Sequence, residues 1–388
     1  MKRKGHLIEQ IADVDNLYLA FHKACRGKQR KAEVLAFREH FDENIAMLRE
    51  NVLSGHITVG NYHYFTIYDP KERVICAAPF RERVLHHAIM NVCHDFFDRS
   101  LISDTYATRP GKGVYAALDK AVYAASHYEY MVKLDFRKYF DSISHDVLKQ
   151  MLERKFKDNK LLGMFNSIID SYQTSEGRGL PIGNLTSQYF ANMYLSAFDH
   201  LAKEKLRIPV YIRYMDDILM AGDDIGVLKG NVALLDAHSQ TSLRLMLKPP
   251  IYKRSKDGMV FLGYLVRPYY YTLSGRSKRR FRSRLIEYER LRCDGRWSEG
   301  NYTNHILPLL SFVSHAKSRK FRKACIDIIN KVTVREWQQP REPWWQLEQQ
   351  REELPSVEPQ QQRPHEPQQQ HRLASCPLSL EQSIQVDT

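Results

Sequence analysis

Val210-Tyr211-Ile212-Arg213-Tyr214-Met215-Asp216-Asp217-Ile218-Leu219-Met220-Ala221 reads as two short apolar runs with a pair of acids between them. That is the pattern of two strands joined at a tight turn. Two like charges at the tip of a buried hairpin oppose each other's ionisation. A divalent cation removes the opposition, and hard carboxylate oxygens suit Mg²⁺. Taken alone, the stretch has a second reading, a solvated Asp-Asp turn.

A third acid bears on the choice. Met131-Val132-Lys133-Leu134-Asp135-Phe136 reads as a buried strand ending in a carboxylate, followed by Phe140-Asp141-Ser142-Ile143 at a turn. By itself Asp135 could equally cap a helix or sit in a loop. Strand-borne acids brought side by side would hold two metal ions. One ion would activate a 3′-hydroxyl and the other would stabilise leaving pyrophosphate.

With these residues the chain resembles a reverse transcriptase over roughly residues 55–330. The family's blocks occur in order. Tyr68-Asp69-Pro70-Lys71-Glu72-Arg73-Val74-Ile75 is similar to the fingers strand, and Thr108-Arg109-Pro110-Gly111-Lys112-Gly113 to the next block. Leu134-Asp135-Phe136-Arg137-Lys138-Tyr139-Phe140-Asp141 carries the first acid, and Tyr214-Met215-Asp216-Asp217 the other two. Phe261-Leu262-Gly263-Tyr264 resembles the primer grip. The implied fold is α+β, a right-hand polymerase with fingers, an antiparallel-sheet palm and a helical thumb.

One block narrows the resemblance. Most of the family has Gln-Gly, three residues, then Ser-Pro in the segment facing the incoming nucleotide. Here it reads Ile182-Gly183-Asn184-Leu185-Thr186-Ser187-Gln188, with Ile182 for Gln and Gln188 for Pro. That departure resembles the enzymes of diversity-generating retroelements. Neither the Cys/His endonuclease spacing of many intron proteins nor the Val-Thr-Gly thumb motif of retron enzymes is found. The competing readings are another bacterial reverse transcriptase (intron-derived, retron-like or phage-defence) and a binding protein that keeps the fold without catalysis.

The resemblance implies roles for individual residues. Asp135 and Asp216 would contact two Mg²⁺ ions directly, with Asp217 more peripheral and the Phe136 carbonyl as a further ligand. Phe140 would exclude a 2′-hydroxyl, or else simply pack in the core. Arg73, then Lys71, would hold the triphosphate, since basic side chains match its oxygens. Arg81 is a third cation there, which could instead pair with Glu82 or Asp95. Ile182, Gly183 and Gln188 would face the nucleotide. Arg109, Lys112, Tyr214, Met215, Leu262, Gly263, Arg279 and Arg280 would contact template or primer. Lys248 could approach the leaving pyrophosphate, with Lys253 as competitor. The partners implied are template RNA, primer or cDNA, dNTPs and a small basic oligomeric accessory protein.

Composition agrees with a nucleic-acid enzyme. The 388 residues are 43% hydrophobic with a net charge of +13. Residues 335–388 hold 5 Lys/Arg and 9 Asp/Glu, so the remainder carries 53 basic against 36 acidic residues. A body at +17 points to a polyanion partner. Residues 274–292 hold eight Lys/Arg and two Glu, with Phe281, Leu285 and Tyr288 on one helical face. This suits a helix tracking phosphates, or else a solvated basic face. Six scattered cysteines without a CxxC pair fit a reducing cytoplasm rather than a disulfide framework. The basic start, Met1-Lys2-Arg3-Lys4, is followed by no uninterrupted apolar core and is not expected to be a signal peptide. No membrane span is expected.

The expected organisation is an N-terminal helical extension (1–54), fingers (55–130, with 145–180 shared), palm (131–270), basic thumb (271–334) and a disordered Gln/Pro-rich tail (335–388). Two helices are expected over 7–54, a hairpin over 63–77, and helices over 114–126, 145–157, 160–173 and 184–205. Strands are expected over 129–136, 209–214, 217–222 and 259–266. His86, His87 and His94 read as ordinary core or rim histidines.

Overall fold

The computed structural model describes residues 5–68 and 72–327. The chain forms two compact units, Met1–Tyr271 and Thr272–Thr388. Lys71, residues 328–334 of the expected thumb and the whole expected tail lie outside the described residues.

The first unit opens with α1 (Ile8–Ile11), α2 (Val14–Cys25), α3 (Ala32–Glu39) and α4 (Phe41–Ser54). Apolar periodicity alone suggested two helices here. The first break comes at Asp13, whose carboxylate accepts from the backbone of Asp15 and Asn16 and starts α2 afresh. A hairpin follows, β1 (His63–Tyr68) against β2 (Glu72–Ala77). Next come α5 (Phe80–Asp98), which buries Val84, Leu85, Ala88, Ile89, Cys93 and Phe97, and α6 (Val114–His127).

The chain then runs through β3 (Tyr130–Leu134), α7 (Tyr139–Ser142), α8 (His145–Glu153), α9 (Asn159–Asp170), α10 (Leu185–Tyr194) and α11 (Ser196–His200). The single helix expected over 184–205 is divided at Leu195. Its last stretch is a wide π turn, with the Leu206 amide bonded to the carbonyl of Leu201. Then come β4 (Val210–Tyr214), β5 (Asp217–Gly222), α12 (Ile225–Ser242) and β6 (Ile251–Arg254). These strands form one sheet of order β4-β5-β3-β6 with antiparallel neighbours. Val210, Tyr211, Ile212 and Ile218 to Ala221 are all buried, so both central runs are continuously apolar rather than alternating.

The strand expected over 259–266 is instead a hairpin of β7 (Met259–Phe261) and β8 (Tyr264–Arg267), which lie in one sheet with β9 (Tyr270–Leu273). Leu262 and Gly263 have φ of 48° and 88°. Positive φ at both central residues makes a two-residue hairpin turn, which apolar patterning does not register. The second unit contains α13 (Gly275–Cys293), capped by Ser274, and α14 (Glu299–Ser314), capped by Ser298. Phe281 and Leu285 are buried, and Tyr302 donates to Glu289. Among the described residues no helix is long and apolar enough to cross a membrane.

One buried ion pair ties the first unit together. Arg213 on β4 and Asp199 on α11 are both fully buried. Arg213 donates to both Asp199 oxygens (Nε at 2.7 Å, Nη2 at 2.6 Å), and Tyr211 donates to Oδ1 at 2.6 Å. The guanidinium also donates to the Asn192 side chain (2.9 Å), the Asn192 carbonyl (3.0 Å) and the Met215 carbonyl (3.1 Å). Its backbone bonds Asp104 and Tyr106, pinning the loop before α6.

Removing one partner of such a pair strands the other charge in the core, at about 3–5 kcal/mol. Arg213→Met should lower unfolding free energy by about that much in urea titrations. Arg213→Met combined with Asp199→Leu should recover part of the loss. A single variant as stable as the parent would refute the assigned weight of this pair.

Candidate active site

The antiparallel register sets Leu134 opposite Ile218. One step further along, Asp135 leaves β3 at the end of the sheet where β5 begins with Asp217. Tyr214 pairs with Asp217, so Met215 and Asp216 form a two-residue turn. Met215 has φ 53°, a left-handed conformation that is disfavoured for a residue with a Cβ. Arg213 holds this turn through the Met215 carbonyl. The sheet thus gathers Asp135, Asp216 and Asp217 at one end.

Their electrostatics differ. Asp216 is raised to about 6, first by burial and then by the neighbouring charges of Asp217 and Asp135. Asp135 and Asp217 each have a lysine. Lys248 Nζ lies 2.6 Å from Asp135 Oδ2, and the Lys248 amide donates to the Asp135 carbonyl at 2.8 Å. Lys133 Nζ lies 2.8 Å from Asp217 Oδ1. Lys253, the competitor of Lys248, sits on the outer strand β6 opposite Met131. Among the described residues no three His, Cys, Asp or Glu side chains already converge in a coordination shell. The donor set still fits a hard divalent ion. All three side chains offer oxygen, and a cation would offset the burial and the like charges that raise Asp216.

The other candidate residues divide into groups. Phe136 is buried and bridges to Leu247 beside Lys248, while its ring meets Phe198. Phe140 is half-buried against the core, and its carbonyl accepts from Leu180. The Ile182 carbonyl accepts from Cys76 of β2 at 2.8 Å. Gly183, at φ 119°, lies so close to β2 that a Cβ would sit 3.0 Å from Ile75 and 3.2 Å from the Cys76 carbonyl. Only glycine suits that approach. Ile182 and Gly183 are therefore joined to the hairpin that carries exposed Arg73. Gln188 is exposed on α10, 3.5 Å from the Thr108 hydroxyl. Tyr214 and Met215 belong to the acidic turn, whereas Leu262 and Gly263 form the separate β7–β8 turn. Arg279 and Arg280 lie on α13 of the second unit.

Arg109 is engaged within its own loop. Its guanidinium binds Asp98 at 2.6 Å and donates to the carbonyls of Ile102 and Thr105 and to the Thr105 hydroxyl. These bonds brace the loop that carries Arg109. Lys112 stays exposed, with Nζ 3.0 Å from the Ser103 carbonyl. Arg81 forms neither of the ion pairs considered for it.

Two features escaped sequence reasoning. Lys133 was passed over as a strand residue, although it lies two positions before Asp135 and so on the same face. Arg213 adjoins the acidic turn, but its partners Asp199 and Asn192 lie on helices with no periodicity linking them to it.

The raised Asp216 has a consequence for the metal-free protein. Its carboxyl ionises near 3.8 ordinarily and near 6 when folded. The folded chain therefore keeps a proton that the unfolded chain has lost, and stability falls as pH rises through that window. Asp216→Asn should raise stability at mildly alkaline pH in EDTA by at most roughly 3 kcal/mol, at about 1.4 kcal/mol per pH unit, with little change near pH 4. Equal melting temperatures at alkaline pH would mean that the lysines already neutralise the site.

Residues 69–265 match the family described as reverse transcriptase (RNA-dependent DNA polymerase). The chain is similar to Escherichia coli protein YkfC, at 20% identity over 273 residues covering 57% of this chain and 70% of that protein. It is also similar to the Arabidopsis thaliana protein named nuclear intron maturase 1, mitochondrial, at 26% identity over 88 residues, 23% of this chain and 12% of that one. The chain thus spans a minor part of the maturase's length. A solved Candida albicans telomerase in complex with a telomeric RNA fragment aligns at TM-score 0.41 and 12% identity, covering 77% of this chain and 60% of that one. With the family match covering half of its length, this chain belongs to the reverse transcriptases, the RNA-directed DNA polymerases.

Proposed function

We propose that the chain makes cDNA from an RNA template for a diversity-generating retroelement, and that its synthesis is error-prone. The observation that carries the retroelement type is the pair Ile182 and Gln188 in the segment docked on β2. An intron-type enzyme is the alternative, favoured by the likeness to an intron maturase.

In this reading the fingers span 55–130, the palm 131–270 and the basic thumb 271–334. Asp135, Asp216 and the Phe136 carbonyl hold two Mg²⁺ ions, with Asp217 more peripheral. When bound, these ions lower the pKa of the primer 3′-hydroxyl and offset charge on the departing pyrophosphate. Lys248, beside Asp135, is placed to donate to that pyrophosphate. Arg73 and Lys71 clamp the triphosphate. Phe140 excludes a 2′-hydroxyl. Tyr214, Met215, Leu262, Gly263 and Lys112 position primer and template, and Arg279 and Arg280 follow the phosphate backbone. Template choice falls to a small basic oligomeric accessory protein that binds the same RNA.

Asp216→Ala should leave the fold intact and lower Mg²⁺-dependent primer extension on RNA by orders of magnitude. Near-normal extension by that variant would overturn the metal assignment.

Fidelity tests the retroelement type separately. A Gln at 182 could hydrogen-bond the incoming nucleotide, whereas Ile182 offers only apolar contact. One such bond is worth about 0.5–1.5 kcal/mol, so alignment here rests more on base pairing and shape. Ile182→Gln should reduce misincorporation, most visibly opposite template adenine, when cDNA from both enzymes is sequenced. Identical error spectra from equally active enzymes would refute the role given to Ile182.

A further inference from the structure

A cavity of about 500 Å³ opens where the C-terminal ends of α5 and α8 meet α10 and α11. Arg99, Arg154 and Lys155 line it, His200 closes one side, and Phe96 and Met193 contribute an apolar floor. No carboxylate lines it. None of the residues named for catalysis or for template and primer contact lines it either. The helix α11 separates the two regions. Phe198 and Asp199 turn inward to Phe136 and Arg213, while His200 faces the cavity.

The charge here is unbalanced. Among the described residues, Arg99, Arg154 and Lys155 make no ion pair and no side-chain hydrogen bond. Lys155 is half-buried, and burial pushes its ammonium pKa down with no acid opposing the shift. Glu204, the acid near His200, is engaged by that ring at 2.6 Å, and the other ring nitrogen lies 3.2 Å from the Ser100 carbonyl.

A simpler explanation is the favourable field of helix C-termini, since Arg99 and Arg154 immediately follow α5 and α8. It accounts for those two residues. It does not account for a half-buried lysine beside them, nor for a ligand-sized cavity between cations and an apolar floor. Sites for small molecules have this volume and this mixture of apolar wall with a few polar groups. Guanidinium forks and an ammonium suit phosphate oxygens. Phe96 and Met193 suit a flat, weakly polar ring. One ligand class combines both requirements.

We propose that this cavity is a second, non-catalytic nucleotide site. It takes a nucleoside phosphate, either as a free nucleotide or as one nucleotide of an RNA strand crossing this face of the protein. The phosphate lies toward Arg99, Arg154 and Lys155, and the base lies over Phe96 and Met193. The inference stands whichever kind of reverse transcriptase this is.

The full chain is photolabelled in parallel with 8-azidoadenosine 5′-monophosphate and with a short RNA carrying 4-thiouridine, and the labelled peptides are mapped. At least one probe should label the peptides containing Phe96 or Met193 saturably. The double variant Arg154→Ser, Lys155→Ser should reduce that labelling about tenfold or more, the loss expected from about 1.4 kcal/mol of binding. Primer extension by the variant should be unchanged, which also reports that it is folded. Arg99→Ser should weaken the labelling independently. Labelling by the RNA alone identifies a strand nucleotide as occupant, and labelling by the mononucleotide identifies a free one. Absence of saturable labelling at these peptides with both probes, or labelling undiminished in the variants, overturns the proposal.

Discussion

Arg213 has one guanidinium and four structural obligations. It neutralises Asp199 on α11, satisfies Asn192 on α10, holds the Met215 carbonyl and, through its backbone, anchors the loop before α6. A buried charge is tolerable only when paired and fully hydrogen-bonded. That requirement makes the cluster all-or-nothing. The helices must stand where their acceptors meet the fork, and the turn must present its carbonyl inward. Met215 is then kept in a left-handed conformation that it would otherwise avoid, and Asp216 is carried to the end of the sheet. The geometry of the acids is thus a by-product of a charge being satisfied behind them.

In front of them the balance runs the other way. Burial, and then two acidic neighbours, raise Asp216 to about 6. Asp135 and Asp217 are each answered by a lysine from β3 or from the segment leading into β6. The two lysines stand in for part of the positive charge that a divalent ion would bring. Lys248 is tied to Asp135 through backbone and side chain alike.

The segment from Ile182 to Gln188 shows how a neighbouring strand can restrict a turn. Its carbonyl and its glycine are matched to Cys76 and Ile75 of β2, leaving no room for a Cβ at Gly183.

Much was legible in the residues alone. The acidic hairpin and the strand ending at Asp135 announce themselves by short apolar runs, and the hairpin over 63–77 by alternation, all of which depend on near neighbours in sequence. The basic α13 is visible for the same reason. Other features had no local signal. The first break among the N-terminal helices depends on a cap at Asp13, and the β7–β8 turn depends on positive φ at Leu262, which patterning by hydrophobicity cannot register. Arg109 read as a cation free for template, and only the approach of Asp98 and two carbonyls engages it. By itself the sequence determined a basic body with acids beside short apolar runs, and its ordered blocks carried the family resemblance that implied the chemistry, because both depend only on residue type and order along the chain. Which charges are answered, by Lys133, Lys248 and Asp199, was decided only by the tertiary structure, because ion pairs form between residues that the fold, and not the chain, makes neighbours.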